Sequence, residues 1–116
     1  VTEPAPAWIT PQDVALYADR VYPSGDSAMD GRIDGATFAV KAAIEERRSD
    51  LDFSDRALVP ENVRQGSIYW AAQLFQTRNA PSGYAGYGDE TSLYDALGAR
   101  RAEILRLVGW RRPGLF

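Results

Sequence analysis

Apolar residues along this chain recur at helical intervals, and no stretch alternates convincingly as a strand would. Val14, Leu16, Tyr17 and Val21 include a 14/17/21 spacing. Just ahead of them, Thr10-Pro11-Gln12-Asp13 reads as a helix start, with Thr10 as cap, Pro11 in the first helical position and Asp13 three residues after the cap. The pattern predicts a short helix to about Tyr22, stopped by Pro23-Ser24-Gly25.

The longest helix is predicted from Ser27 to about Leu51. Met29, Ile33, Ala36, Val40, Ala43, Ile44 and Leu51 form its apolar stripe, and Glu45, Glu46, Arg48 and Asp50 point elsewhere. Gly31 and Gly35 either mark a close helix contact or weaken the first half, each by about 1 kcal/mol relative to Ala. After a connection at Leu51-Asp52-Phe53-Ser54, Pro60-Glu61 begins a third helix. Its segment Ile68-Tyr69-Trp70-Ala71-Ala72-Gln73-Leu74-Phe75 is apolar on nearly every side, which predicts the central helix of the fold. A fourth helix is predicted from about Ser92 to Val108, carrying Leu93, Leu97, Ile104 and Val108. The expected architecture is therefore all-α: a small four-helix arrangement, with a long Gly/Tyr loop between helices 3 and 4 and an extended arm at each end. The divisions are 1–9 for the N-terminal arm, 10–108 for the helical domain and 109–116 for the C-terminal arm.

At 116 residues one core must serve the whole chain. Cysteine and histidine are both absent, which removes disulfides, thiol nucleophiles, imidazole bases and nearly every structural zinc site. The N-terminal residues lack the pattern of a signal peptide and no run of apolar residues is long enough to span a bilayer, so the chain reads as soluble and unexported, with no membrane partner. Charge is divided unevenly: residues 1–95 hold eight Lys/Arg against fifteen Asp/Glu, whereas residues 96–116 hold five Arg against Glu103 alone. An acidic body argues against a general nucleic-acid-binding domain, because duplex affinity rests on neutralised phosphates.

Several groups invite a chemical reading. The glycines at 83, 86 and 88 run G-x-x-G-x-G, the reverse of a dinucleotide fingerprint, and they follow a helix where a nucleotide loop needs a strand. Asp26, Asp30 and Asp34 share one helical face, which suits either a cation or, in the favoured reading, a solvated helix start; Asp50, Asp52 and Asp55 lack the ligand spacing of an EF-hand. Asp89 and Glu90 offer acid-base groups without an identifiable partner. Ser67, Tyr69 and Trp70 fit a core better than a ligand pocket. No catalytic, cofactor-binding or metal-binding residue is nominated, and the chain is not expected to be an enzyme.

Two stretches are left over. The loop RNAPSGYAGYGDE, residues 78–90, places Tyr84 and Tyr87 among glycines, where they either fold back on the body or meet a partner. In the tail GWRRPGLF, residues 109–116, Pro113 and Gly114 oppose a helix, yet Trp110, Leu115 and Phe116 are costly to leave in water. Burying its two aromatics contributes at most about 8–12 kcal/mol. Ordering the segment costs about 8–16 kcal/mol. A single tail therefore docks weakly on another molecule, and many tails on one ring dock well together; folding back over its own bundle is the other option.

The capped start Ile9-Thr10-Pro11-Gln12-Asp13, the Ala42-Ala43-Ile44-Glu45 segment, the apolar third helix and the loop with Arg78, Asn79, Pro81, Gly83, Gly86, Tyr87, Gly88 and Asp89 together resemble the head-to-tail adaptor proteins of long-tailed double-stranded DNA bacteriophages. This family is also called head completion or head-tail connector proteins. The likeness spans about Trp8 to Val108 and is nearest to adaptors of actinobacterial phages. It implies a structural virion protein that forms a homo-oligomeric ring, expected to be twelvefold, in the neck, after assembly in the host cytoplasm. The ring would join the portal protein to the stopper and extend the channel, with double-stranded DNA passing through without sequence recognition. It implies no cofactor. Portal docking would fall to Trp110, Arg111, Arg112, Pro113, Leu115 and Phe116. Contact with neighbouring subunits or the stopper would fall to Arg78, Pro81, Gly83, Tyr84, Gly86, Tyr87, Gly88 and Asp89. The competing expectation is a small helical DNA-binding or regulatory protein that uses Arg100, Arg101, Arg106, Arg111 and Arg112 on phosphates.

Overall fold

The computed structural model describes residues 7–76 and 97–109. The fold is all-helical, and the described residues form four α-helices: α1 (Pro11–Tyr17), α2 (Ser27–Arg47), α3 (Glu61–Phe75) and α4 (Arg101–Val108). Short 3-10 turns at Arg56–Leu58 and Gly98–Arg100 lead into α3 and α4. The described residues contain no strand.

Helix α1 starts as its sequence predicts. Thr10 Oγ1 accepts the Asp13 N–H at 3.2 Å and Asp13 Oδ2 accepts the Thr10 N–H at 3.1 Å, a reciprocal capping box. It ends at Tyr17, well short of Tyr22. Asp19 adopts a left-handed conformation (φ 59°), the Asp19 N–H reaches Leu16 O and the Arg20 N–H reaches Ala15 O. This is the hydrogen-bond pattern of a Schellman stop, with an aspartate in the place where glycine is usual. The early stop takes Val21 out of the helix, and Leu16, Tyr17 and Val21 are exposed whereas Val14 is buried.

Helix α2 begins at the Asp26 cap, whose carboxylate accepts the Ala28 and Met29 N–H groups. Ile33, Ala36, Val40 and Ile44 are buried along the expected stripe, and Met29, Ala43 and Leu51 pack against its edge. The helix closes at Arg47 with Arg48 as its C-cap, so Leu51 packs from the connection. Glu45 does not point away from the body: its carboxylate accepts the Trp8 indole N–H at 3.0 Å and pairs with Lys41.

Helix α3 packs against α1, α2 and α4 and is the central helix. Trp70 and Ala71 are fully buried, and Ser67 is buried with its hydroxyl donating to Val63 O. Gly66 lets α4 approach: a Cβ built there would lie 2.7 Å from Leu107 Cβ and 2.9 Å from Val108 Cγ1. Helix α4 contributes Ile104 and Val108 to the core, and Leu97, buried, precedes the 3-10 turn that leads into it. The core also extends before α1. Trp8 and Ile9, both 1% exposed, belong to it, with the Trp8 ring 4.8 Å from Phe53. Burying a tryptophan contributes about 4–6 kcal/mol as an upper bound, which ties the chain down ahead of its first helix.

Candidate functional site

The residues nominated for contact lie outside the described residues. This holds for Arg78, Pro81, Gly83, Tyr84, Gly86, Tyr87, Gly88 and Asp89 and for Trp110, Arg111, Arg112, Pro113, Leu115 and Phe116. The structure does describe the helix ends that precede these segments in sequence, the C-terminal ends of α3 and α4.

Helix C-termini expose carbonyls without intrahelical partners and carry a partial negative charge, so cationic side chains suit them. Both ends here are held by an arginine, one within α2 and one at its C-cap. Arg32 Nη2 donates to Phe75 O at 2.9 Å, and its guanidinium lies 5.1 Å over the Phe75 ring. Arg48 Nη1 donates to Val108 O at 3.0 Å. The other edge of the Arg48 guanidinium is taken by Asp50, through Nε to Oδ1 and Nη2 to Oδ2, both at 3.0 Å. That bidentate pair holds the guanidinium pKa above its ordinary value, with partial burial opposing it. Asn62 Nδ2 adds a bond to Leu107 O at 3.1 Å. Gly109 then turns the chain in a left-handed conformation (φ 66°), where a Cβ would collide with Arg48 Nη1.

A second cluster lies where α1 meets the start of α4. The Tyr17 and Tyr69 rings stand 4.7 Å apart, and the Arg100 guanidinium sits 4.6 Å over Tyr69. Arg100 also donates to the Tyr17 hydroxyl and forms a forked pair with Glu103. Glu103 and then Tyr17 hold the Arg100 pKa up, and Arg100 holds the Glu103 carboxyl down. Beside this cluster a shallow groove of about 260 Å³ runs between α1 and α3, lined by Asp13, Leu16, Tyr17, Arg64, Gln65 and Ile68. Asp13 is occupied there by Arg56 and Arg64, each at 3.1 Å.

The other candidates have local duties. Asp26 caps α2, Asp30 accepts the Ser24 N–H and hydroxyl, and Asp34 accepts the Tyr22 hydroxyl, so their shared face is not a common cage. The Ser24 backbone bond, followed by its hydroxyl, holds the Asp30 carboxyl below its ordinary range. Asp50 serves Arg48, Asp52 accepts from Ser54, and Asp55 caps the first 3-10 turn. Among the described residues no group of three metal-ligating side chains converges. Of the trio Ser67, Tyr69 and Trp70, only Tyr69 reaches the surface, beneath Arg100. Sequence reading missed Arg32 and Arg48 as caps, because nothing near them in the chain signals a carbonyl 43 or 60 positions away. It also missed Gly66, which lies inside an apolar helix where a glycine alone marks a close approach.

No protein-family model, curated protein or solved structure matches this chain. No helix among the described residues is long and apolar enough to cross a membrane.

Proposed function

We propose that this chain is a head-to-tail adaptor of a long-tailed double-stranded DNA bacteriophage, a structural protein of the virion neck. Copies of it form a ring, twelvefold by the resemblance, between the portal protein and the stopper. DNA passes through that ring without being read. The observation that supports the reading is the way the helix ends preceding the two candidate contact segments are held. In sequence, residues 77–96 follow α3 and residues 110–116 follow α4, and each preceding helix end is held by an arginine, Arg32 of α2 and Arg48 at the α2 C-cap. An all-helical body whose helix ends are held by side chains from elsewhere in the chain suits a scaffold that presents contacts. The family likeness in the capped α1 and the glycine-tyrosine loop names the assembly.

The DNA-binding alternative gains no support from Arg100, whose guanidinium is engaged by Glu103, Tyr17 and Tyr69. The deciding experiment mixes the purified protein with its cognate portal, with and without residues 109–116, and follows co-sedimentation and negative-stain images. A ring capping the portal only when the tail is present is the expected result. Absence of association with either form, together with salt-sensitive duplex binding, would replace the adaptor reading with the DNA-binding one.

A further inference from the structure

We infer that residues 8–17 form a strap that opens and closes on the body as one unit, with Asp13 as its lock: the carboxylate that starts α1 also fastens α1 and Trp8 to α3.

Asp13 meets donors from three segments. Its Oδ2 accepts the Thr10 N–H at 3.1 Å within the capping box, its two oxygens take Arg56 Nη2 at 3.1 and 3.2 Å, and its Oδ1 pairs with Arg64 Nη2 at 3.1 Å. Arg64 is divided in turn. Its Nε donates to Trp8 O at 3.1 Å, and its Nη1 reaches Glu61 at 3.5 Å. Trp8 is thereby held at two points, its carbonyl by Arg64 and its indole N–H by Glu45. A continuous set of polar contacts runs from Glu45 of α2 through Trp8 and Arg64 to Asp13 and Arg56. Side-chain exposure is 16% for Arg64 and 20% for Asp13, so solvent and salt screen their pairing less than that of a surface pair.

The helix that this lock starts does not stand by itself. Helix α1 has seven residues, against the ~12–15 below which isolated helices are marginal in water. It depends on the burial of Val14 and Ala15, and of Trp8 and Ile9 just ahead of it. Undocking therefore means unwinding: the capping box, the Asp13 pairs and the Trp8 bonds are lost in one step. On its other side the unit is bounded by residues 18–26, which are not helical and in which Asp19 and Gly25 take positive φ. That stretch lets the unit part from α2 without unwinding it. Opening uncovers the seat of Trp8, formed by the Phe53 ring, 4.8 Å from the indole when closed, and by the Glu45 carboxylate.

Hydrogen exchange followed by nuclear magnetic resonance on the full chain tests the inference. The probes are the Trp8 indole N–H, assigned with Trp8→Phe, and the Ala18 and Arg20 amides, which donate to Val14 O and Ala15 O. The native chain should show one shared opening constant for all three, with less protection and a smaller urea dependence than the Ala71 amide in the middle of α3. Asp13→Asn keeps an acceptor for the Thr10 N–H but removes the charge. It should accelerate all three probes by the same factor, at least about tenfold, the effect of one lost hydrogen bond between charged groups. Arg64→Lys should act alike, because one ammonium cannot hold both Trp8 O and the carboxylate in this arrangement. A Trp8 indole as protected as the Ala71 amide, unequal opening constants for the indole and the Arg20 amide, or an Asp13→Asn chain with an unchanged indole overturns the inference. If Asp13→Asn does not fold, Arg56→Gln decides by the same readout: a smaller acceleration shared by all three probes supports the lock, and one confined to the amides overturns it.

Discussion

The start of α2 and the end of α4 are both helix termini fastened by charged side chains, yet they are fastened in different ways. At the start of α2 every partner is close in sequence. Asp26 caps its own next residues, Asp30 reaches back six positions to Ser24, and Asp34 reaches back twelve to Tyr22. At the end of α4 the partners come from 60 and 45 positions away, Arg48 on Val108 O and Asn62 on Leu107 O. The first terminus is assembled by its own segment and survives as long as that segment is helical. The second exists only when three helices are already packed, so it reports the state of the whole fold.

The largest test of this contrast is Gly66→Ala. Its new methyl group would overlap Leu107 Cβ and Val108 Cγ1, neither of which is the free end of a flexible chain. Overpacking costs about 1–3 kcal/mol and the gain in helix propensity returns about 1, so a net loss of up to about 2 kcal/mol is expected in urea unfolding. Loss of protection at the α4 amides in hydrogen exchange should exceed that at the α2 start. Equal losses at both would mean that the two ends are not separately held.

Asp26→Ala probes the local terminus. Removal of a helix cap costs about 1 kcal/mol, and the effect should be confined to exchange of the Ala28 and Met29 amides, leaving Val108 and Gly109 as they were. A response at Gly109 would couple the two termini and spoil the contrast.

The smallest effect concerns acid. The Asp30 carboxyl is held below its ordinary range in the folded state, chiefly by the Ser24 N–H. A depressed folded value means that its stabilisation is fully present above the ordinary carboxylate pKa, near 4, and is lost as pH falls through the lower folded value. Because Asp30 is solvent-exposed in its surroundings the change is small: Asp30→Asn should lower the melting temperature slightly at pH 7 and converge with the native chain at low pH. Curves that stay parallel down to about pH 2 would show that the Ser24 bond contributes nothing.

Legibility in the sequence followed the same division. The Thr10 cap, the Asp26 start, the Ile33/Ala36/Val40/Ile44 stripe and the centrality of α3 are properties of short windows, and all are present in the structure. The stop of α1 was misplaced because Asp19, not a glycine or proline, supplies the left-handed residue. Glu45 was assigned to solvent because its partner Trp8 lies 37 positions away, in a segment without periodicity. For the candidate site the balance is reversed: the contact segments stand out by composition alone, while the arginines at their origins carry no local signal.

The sequence by itself determined that this chain is helical, where its first three helices begin and which faces turn inward, because caps and apolar periodicity act over a few residues; the fourth, expected from about Ser92, is described only from Arg101, after a 3-10 turn. Tertiary structure alone decided that Arg32 and Arg48 end other helices, that Gly66 is a seat for α4, and that Trp8 belongs to the core. Those outcomes depend on which surfaces meet, and a guanidinium or a missing Cβ has no preference for a partner until packing brings one within about 3 Å.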